Sequence, residues 1–439
     1  MGRKLFFKLF GIGFLASILL VPLGMVETRI NERLFLHHQV KTEIADTAAG
    51  EQTLVGPVIV IHYAVRTPPE TRKDPETGKI VTITRQDRVL TVPMRHLKVT
   101  GTGKVEERYR GIYQARLYHL DLDISGEASL PDLKRYGDIM EARAQLLLGV
   151  SDLRGIDNDP EIVINGDVHH FFADSQVWDD IPGKRLAVDL GRLPLDAPRQ
   201  YAIAFPLKLT GTETFAFAPT AELNRVELKS DWPDPSFTGR FLPRARQIDK
   251  QGFVAQWEIS HLARDFTAAL QANDNSREVL AVDFIEPGNI YMKSLRAVKY
   301  GILFIVLTFA AFFLCEVLRR RSMHAMQYLL VGLALAIFFL LLIALSEHIA
   351  FLHAYLIAAV ACIGLVALYL SGVLGRKSAI GFGAGLVGLY GVLFGVLESE
   401  DNALLMGSLL LFIALAAIML GTRALDWHRL NRVEQGEHP

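Results

Sequence analysis

The sequence predicts a membrane protein, an α-helical bundle of six transmembrane helices with a large β-rich, sandwich-like domain inserted between helices 1 and 2. Three observations predict it. Six apolar stretches approach the roughly 20 residues that a helix needs to cross about 30 Å of hydrocarbon, one near the N-terminus and five after Lys299. Roughly 270 residues separate the first stretch from the second, enough to bury a core of their own. That middle region alternates apolar and polar residues between Gly and Pro, the pattern of short strands. The mean hydropathy of +0.26 lies between that of a soluble chain and that of an all-membrane bundle. Lys and Arg, 46 in all, balance 47 Asp and Glu, which argues against a nucleic-acid partner. Both cysteines, Cys315 and Cys362, fall inside apolar runs. The polar middle therefore has no thiol for a disulfide scaffold, thiol catalysis or a cysteine zinc site.

The first apolar run extends from Leu9 to Val26 without a charge, preceded by Arg3, Lys4 and Lys8. It exceeds a signal-peptide core, and the exit MVETRINERL offers no small-x-small cleavage site, so a retained signal anchor is expected. The other spans are expected at about Tyr300–Leu318, Ala325–Ser346, Ile349–Gly375, Ser378–Leu397 and Asn402–Thr422. The domains read as 1–26 anchor, 27–297 exported domain, 298–423 five-helix bundle and 424–439 tail.

Orientation follows from basic residues near span ends. One side collects Arg3, Lys4, Lys8, Arg319, Arg320, Arg321, Arg376, Lys377, Arg423, Arg429 and Arg432. The short loops opposite carry none, reading Glu347-His348 and Glu398-Ser399-Glu400-Asp401. Both termini are thus expected in the cytoplasm of an inner membrane. The region from Glu27 to Lys299 is then exported, which in a Gram-negative cell means the periplasm.

The exported region opens on an expected stalk helix, Glu27 to about Asp46, with Ile30, Leu34 and Val40 near helical spacing. LVGPVIVIHY from Leu54 reads as a buried strand entered through a Gly-Pro turn. The polar stretch from Arg66, with Asp74-Pro75 and Thr77-Gly78, reads as a protruding hairpin or loop. Strand patterns then follow from Arg88, Gly111, Glu161, Gln200 and Asn224. Helix is expected only in the stalk, near Pro131–Leu148 and at His261–Ala272.

The chain carries no G-x-S-x-G, H-E-x-x-H, C-x-x-C or P-loop motif. His169 and His170, with Asp167 and Asp174, come nearest to a metal-ligand cluster, but strand neighbours face opposite ways. No metal, no cofactor and no catalytic residue is assigned. SDWPDPSFTGRFLP from Ser230 is stiff enough to present Trp232 and Phe237 to a ligand, or else to plug the base of the sandwich. Ser346, Glu347, His348 and His353 form a candidate cation or proton site if they meet Glu398, Glu400 and Asp401, or else simply solvate helix ends. Glu316 and His353 lie near span ends, where snorkelling is expected, and a bilayer centre without charge disfavours transport. Gly381, Gly385, Gly388 and Gly395 form a small-residue seam for helix packing, within the bundle or against a partner or second copy.

Three strings, QTLVGPVIVI from Gln52, SDWPDPSFTGRFLP from Ser230 and the run from Lys299 that includes QYLLVGLAL and LSEH, resemble the inner-membrane protein CreD family. The stretch near Arg66 and the tail after Trp427 do not match. The resemblance implies a cell-envelope integrity protein under two-component control, active in envelope stress, and brings no catalytic residue with it. The leading expectation is a non-enzymatic scaffold whose partners are the lipid bilayer and an envelope protein or cell-wall component. The alternatives are a membrane enzyme acting on a lipid-linked or cell-wall substrate through Glu347 and His348, and a periplasmic ligand sensor.

Overall fold

The computed structural model describes residues 3–73, 80–174, 184–195, 199–263, 278–284, 290–319, 323–398 and 403–423. The chain divides into two compact units, Met1–His38 with Gly288–Pro439, and Gln39–Pro287.

The first unit is helical. It holds α1 (Arg3–Ile18), most of α2 (Leu20–Thr47), α3 (Ile290–Arg319), α4 (Ala325–Ser346), α5 (Phe351–Leu374), α6 (Arg376–Glu398) and α7 (Ala403–Thr422). In hydrocarbon every peptide group must find its partner within the segment, so apolar runs of this length become helices. Among the described residues, five stretches are long and apolar enough to cross: Phe10–Thr47, Ile290–Glu316, Ala325–Ser346, Phe351–Val373 and Arg376–Glu398. The sixth expected span falls on α7, whose described apolar segment, Leu405–Ala416, is shorter. The break between α1 and α2 is slight, because Leu19 N–H still donates to Leu15 and Leu23 N–H to Leu19. His324 caps α4 by accepting from Met326 N–H, while its own N–H donates to Gln327. Helix α5 ends at Gly375, whose φ of +84° suits glycine.

Aromatic rings fill the bundle. Phe338 lies 4.7 Å from Tyr390 and 5.5 Å from Tyr355, while Phe312 lies 4.7 Å from Tyr328. Their hydroxyls are satisfied inside, Tyr355 donating to the Tyr390 carbonyl at 2.7 Å and Tyr390 to Cys362 Sγ at 3.3 Å. The N-terminal helices enter where the bundle has no side chain. A Cβ at Gly332 would stand 2.1 Å from Leu19 Cδ1, and one at Gly301 would stand 2.5 Å from Leu23 Cδ2.

The second unit is two packed sheets. Its strands are β1 (Gln52–Lys73), β2 (Ile80–Pro93), β3 (His96–Arg110), β4 (Tyr113–Ser129), β5 (Ile139–Val150) and β6 (Glu161–Ile164). Next come β7 (Asp167–His170), β8 (Phe172–Asp174), β9 (Lys184–Arg192), β10 (Gln200–Thr212) and β11 (Thr214–Ala218). The last are β12 (Leu223–Ser230), β13 (Ser236–Gly239), β14 (Ala245–Asp249), β15 (Gly252–Ser260) and β16 (Leu280–Asp283). One sheet runs β13-β16-β11-β1-β5-β9-β8 with β2 also on β1, and the other runs β14-β15-β12-β3-β4-β10-β6-β7. Most neighbours are antiparallel; β1 with β11 and β3 with β12 are parallel.

Strict alternation along β4, β10 and β12 sends one face of the second sheet inward. Leu120, Leu122, Ile124, Phe205, Leu207 and Leu209 there meet Ile59, Ile61, Leu146, Leu148, Phe215 and Phe217 of the first sheet. The first sheet is also buried on its other face, at Val58, Val60, Leu147, Ala187, Ala216 and Ala281. Burial on both faces explains the unbroken apolar runs Leu54–Ile61 of β1 and Leu146–Val150 of β5.

Two sequence expectations need correction. Gly56-Pro57 lies inside β1, where pairing with β5 shifts register between Val55 and Val58, and is not a turn that precedes the strand. Pro131–Leu148 is not a helix. It holds a 3-10 turn, Leu133–Tyr136, whose Asp132 cap accepts from Lys134 N–H, and then β5. Local propensity in IMEARAQLLL favours helix, but pairing on both edges with β1 and β9 overrides it. The hairpin expected from Arg66 is present in the pairing of β1 with β2, and its turn, 74–79, lies outside the described residues. Of the helix expected at His261–Ala272, only a turn at 261–263 is described.

Candidate functional site

The two aromatics singled out in the second unit are tied into its fold. Phe237, on β13, lies 5.6 Å from Phe253 and 5.8 Å from Trp257, edge to face. Trp232 is half-buried, with the Arg116 guanidinium 4.8 Å over its ring and its Nε1–H donating to the Asp234 carbonyl at 3.0 Å. Both rings pack against the inter-sheet core. His169 and His170 sit side by side on β7, opposite Ile162 and Glu161 of β6.

Carboxylates gather near the start of β1. Asp283 accepts from Thr214 at 2.9 Å and from Thr238 at 3.0 Å, and Glu213 pairs with Lys41 at 2.9 Å. Burial, then the charges of Asp283 and Glu213, push the Glu51 carboxyl above the usual carboxylate range. A raised folded-state value means that its stability contribution is present below the unfolded pKa and is lost as pH rises through the folded one. Glu51→Gln is therefore expected to raise the melting temperature slightly at neutral pH and to converge on wild type in mild acid. Equal melting curves at both pH values would contradict that reading.

In the membrane unit the expected acid–histidine grouping separates. Glu347, its side chain 9% exposed, pairs with Arg33 of α2 at 3.2 Å. Glu398 pairs with Lys293 at 3.0 Å. His348 and His353 are exposed, and Glu400 and Asp401 lie outside the described residues. Each described carboxylate thus takes a cation from another helix.

Glu316 is where the structure departs most from the sequence reading. It does not snorkel: it is 7% exposed and held by three donors from three segments. Lys8 of α1 donates to Oε1, Met323 N–H donates to the same oxygen at 3.1 Å, and the Tyr328 hydroxyl of α4 donates to Oε2 at 2.9 Å. Such a carboxylate is a fixed joint between α1, α3 and α4. The one signal available in the sequence was that Lys8 and Glu316 fall at the same end of their spans. Tyr328 gave none.

The glycine seam also divides. A Cβ at Gly395 would stand 2.6 Å from Met406 Cε, a true helix contact between α6 and α7. At Gly381, Gly385 and Gly388 a Cβ would meet no atom within 4 Å. These three border a cavity of about 640 Å³ between α3, α6 and α7. Gly301 and Gly332, which admit the N-terminal helices, lie outside the seam.

The profile of the family described as Inner membrane protein CreD matches residues 4–428. Inner membrane protein CreD of Escherichia coli (strain K12) is 34% identical over 435 residues, which is 97% of this chain and 94% of that one. The chain belongs to the CreD family. It is accordingly an inner-membrane protein with several spanning helices and a large β-rich region. Among solved structures, an M1 zinc metallopeptidase from Deinococcus radiodurans matches at 8% identity with a TM-score of 0.22, over 44% of this chain and 42% of that one. A mutant of the same enzyme matches with a TM-score of 0.23. The chain spans less than half the length of these solved chains, and likeness at this level carries no argument about a CreD protein.

Proposed function

We propose that this CreD protein is a scaffold of the cell envelope that acts in envelope stress, its β-rich unit in the periplasm and both termini in the cytoplasm. The observation that carries this reading is the size and independence of the two-sheet unit, which buries its own core and sits in the chain between spanning helices. The basic residues clustered at one set of span ends support the orientation. Ion pairing of Glu347 and Glu398 with basic residues of other helices favours a structural role over acid–base work there.

The working surface is assigned to exposed positions of the β unit. Val163 and Val168 face each other across β6 and β7 and are 40% and 58% exposed, with Phe172 at 45% nearby in sequence. Tyr109, 65% exposed, lies near the end of the β3–β4 hairpin. In-cell photo-crosslinking from Val168 and Tyr109 during envelope stress is expected to give a discrete adduct with an envelope protein or cell-wall component. Adducts to bilayer lipid alone, or none from either position, would overturn the scaffold reading.

A further inference from the structure

We propose that the cavity between α3, α6 and α7 is a binding site for one anionic phospholipid, an acyl chain inside and the headgroup phosphate at the basic end of α6 and α7. The inference does not depend on the orientation of the protein or on the scaffold role.

The floor of the cavity is Gly381, Gly385 and Gly388, which span two turns of α6, about 10 Å at 1.5 Å per residue. Leu307 of α3 and Leu409 and Ile413 of α7 wall it. Among the described residues no charged one lines it. The glycines are exposed, as are Leu409 and Ile413 at 55% and 56%, so the space opens onto the lipid-facing surface. In hydrocarbon, whatever enters such an opening must itself be apolar.

Size selects among apolar occupants. A spanning helix, about 10 Å across and 30 Å long, occupies roughly 2,400 Å³ and does not fit in the space available. A pocket of about 300–1,000 Å³ suits a molecule of drug size, which has about as many heavy atoms as one fatty acyl chain. A fatty chain is thus the matching occupant.

Charge selects the headgroup. Lys377 lies one turn before Gly381 on the same face of α6, and Arg376 opens that helix. Helix α7 follows α6 after a short connection and runs back, which brings Arg423, just after Thr422, to the end where α6 begins. Arg376, Lys377 and Arg423 are all exposed, and no ion pair engages them among the described residues. Basic side chains beside a gap between helices favour a phosphate headgroup with net negative charge.

The test is native mass spectrometry of the full-length protein with added phosphatidylglycerol or phosphatidylcholine carrying identical chains. Wild type is expected to retain one phosphatidylglycerol about tenfold better than phosphatidylcholine, even in excess inorganic phosphate. Gly385→Leu with Gly388→Leu fills the floor and is expected to release both lipids. Gly391→Leu, which also faces open space but lies off the cavity lining, is expected to retain them and shows that α6 tolerates leucine. Arg376→Gln, Lys377→Gln and Arg423→Gln together are expected to abolish the headgroup preference while the chain is still held. Equal retention of the two lipids by wild type, displacement by phosphate, or unchanged retention in the filled variant would each overturn the proposal. So would a wild-type dimer that Gly385→Leu disperses, because a second copy would then occupy the face. Gel filtration at the wild-type volume confirms that the filled variant is folded; if it is not, Leu307→Phe, which narrows the wall from α3, must release the lipid.

Discussion

Lys8→Met is expected to destabilise the membrane unit by about 3 kcal/mol, because removing one partner of a buried ion pair leaves the other charge uncompensated, at a cost of roughly 3–5 kcal/mol. The lower figure applies because the Lys8 side chain is 28% exposed whereas that of Glu316 is 8% exposed. For a unit of this size that corresponds to a fall in melting temperature of about 6–12 °C. Tyr328→Phe removes one hydrogen bond to the same carboxylate and is expected to cost less, about 1.5–3 kcal/mol. The double variant Lys8→Met with Glu316→Gln removes both charges and should recover most of the loss. Cys362, buried at 6% exposure, reports melting through its reactivity with a thiol dye in detergent. If Lys8→Met melts with wild type, Glu316 is not the joint that its geometry describes. The same joint bears on the N-terminal helix: a chain cleaved after the first span would lose Lys8 and leave Glu316 unpaired.

Gln52→Leu is expected to cost the β unit about 3–5 kcal/mol, since each buried polar group left without a partner costs roughly 1–3 kcal/mol. Gln52 has no exposed surface. Its amide donates to the carbonyls of Asp152 at 2.9 Å and Thr210 at 3.2 Å, and accepts from Ser151 Oγ and Asp152 N–H, each at 3.2 Å. Its own N–H donates to the Tyr118 hydroxyl at 3.3 Å. One side chain thus links β1 of the first sheet to β10 of the second and to the turn after β5. Leucine matches the volume and removes all four bonds. The Asp152 carbonyl keeps Gly155 N–H at 3.2 Å and the Ser151 hydroxyl keeps the Glu51 carbonyl at 2.9 Å. The Thr210 carbonyl and Asp152 N–H lose the partner Gln52 gave them, so amide exchange in β1 and β10 should accelerate together. Unchanged protection in either strand would show that the side chain links nothing. The Asp152 carboxyl, held below the usual carboxylate range by Arg154 hydrogen bonds, adds a pH dependence at the same turn. A depressed folded-state value contributes stability above the unfolded pKa and loses it as pH falls through the folded one.

Several elements were legible because their cause is local. Three apolar runs became α4 to α6 within about two residues of their expected limits, since hydropathy over about 20 residues decides where a helix crosses, whereas α3 starts at Ile290, well before the expected Tyr300. The stalk from Glu27 lies in α2, and the alternation from Gly111 and from Gln200 became β4 and β10. Pro131–Leu148 failed for the opposite reason. Its residues favour a helix by themselves, and only strands distant in sequence make them β5.

The candidate sites show the same division. Hydropathy, charge placement and alternation by themselves determined that the chain is a membrane protein with a β-rich insert, because each is a property of neighbouring residues. Whether Glu316 reaches water or a lysine 308 positions away, whether Gly381 touches a helix or a void, and whether Gln52 is surface or keystone were decided only by tertiary structure. In each case the deciding partner is far away along the chain, and burial turns a side chain that composition would leave solvated into one whose energy depends on that partner.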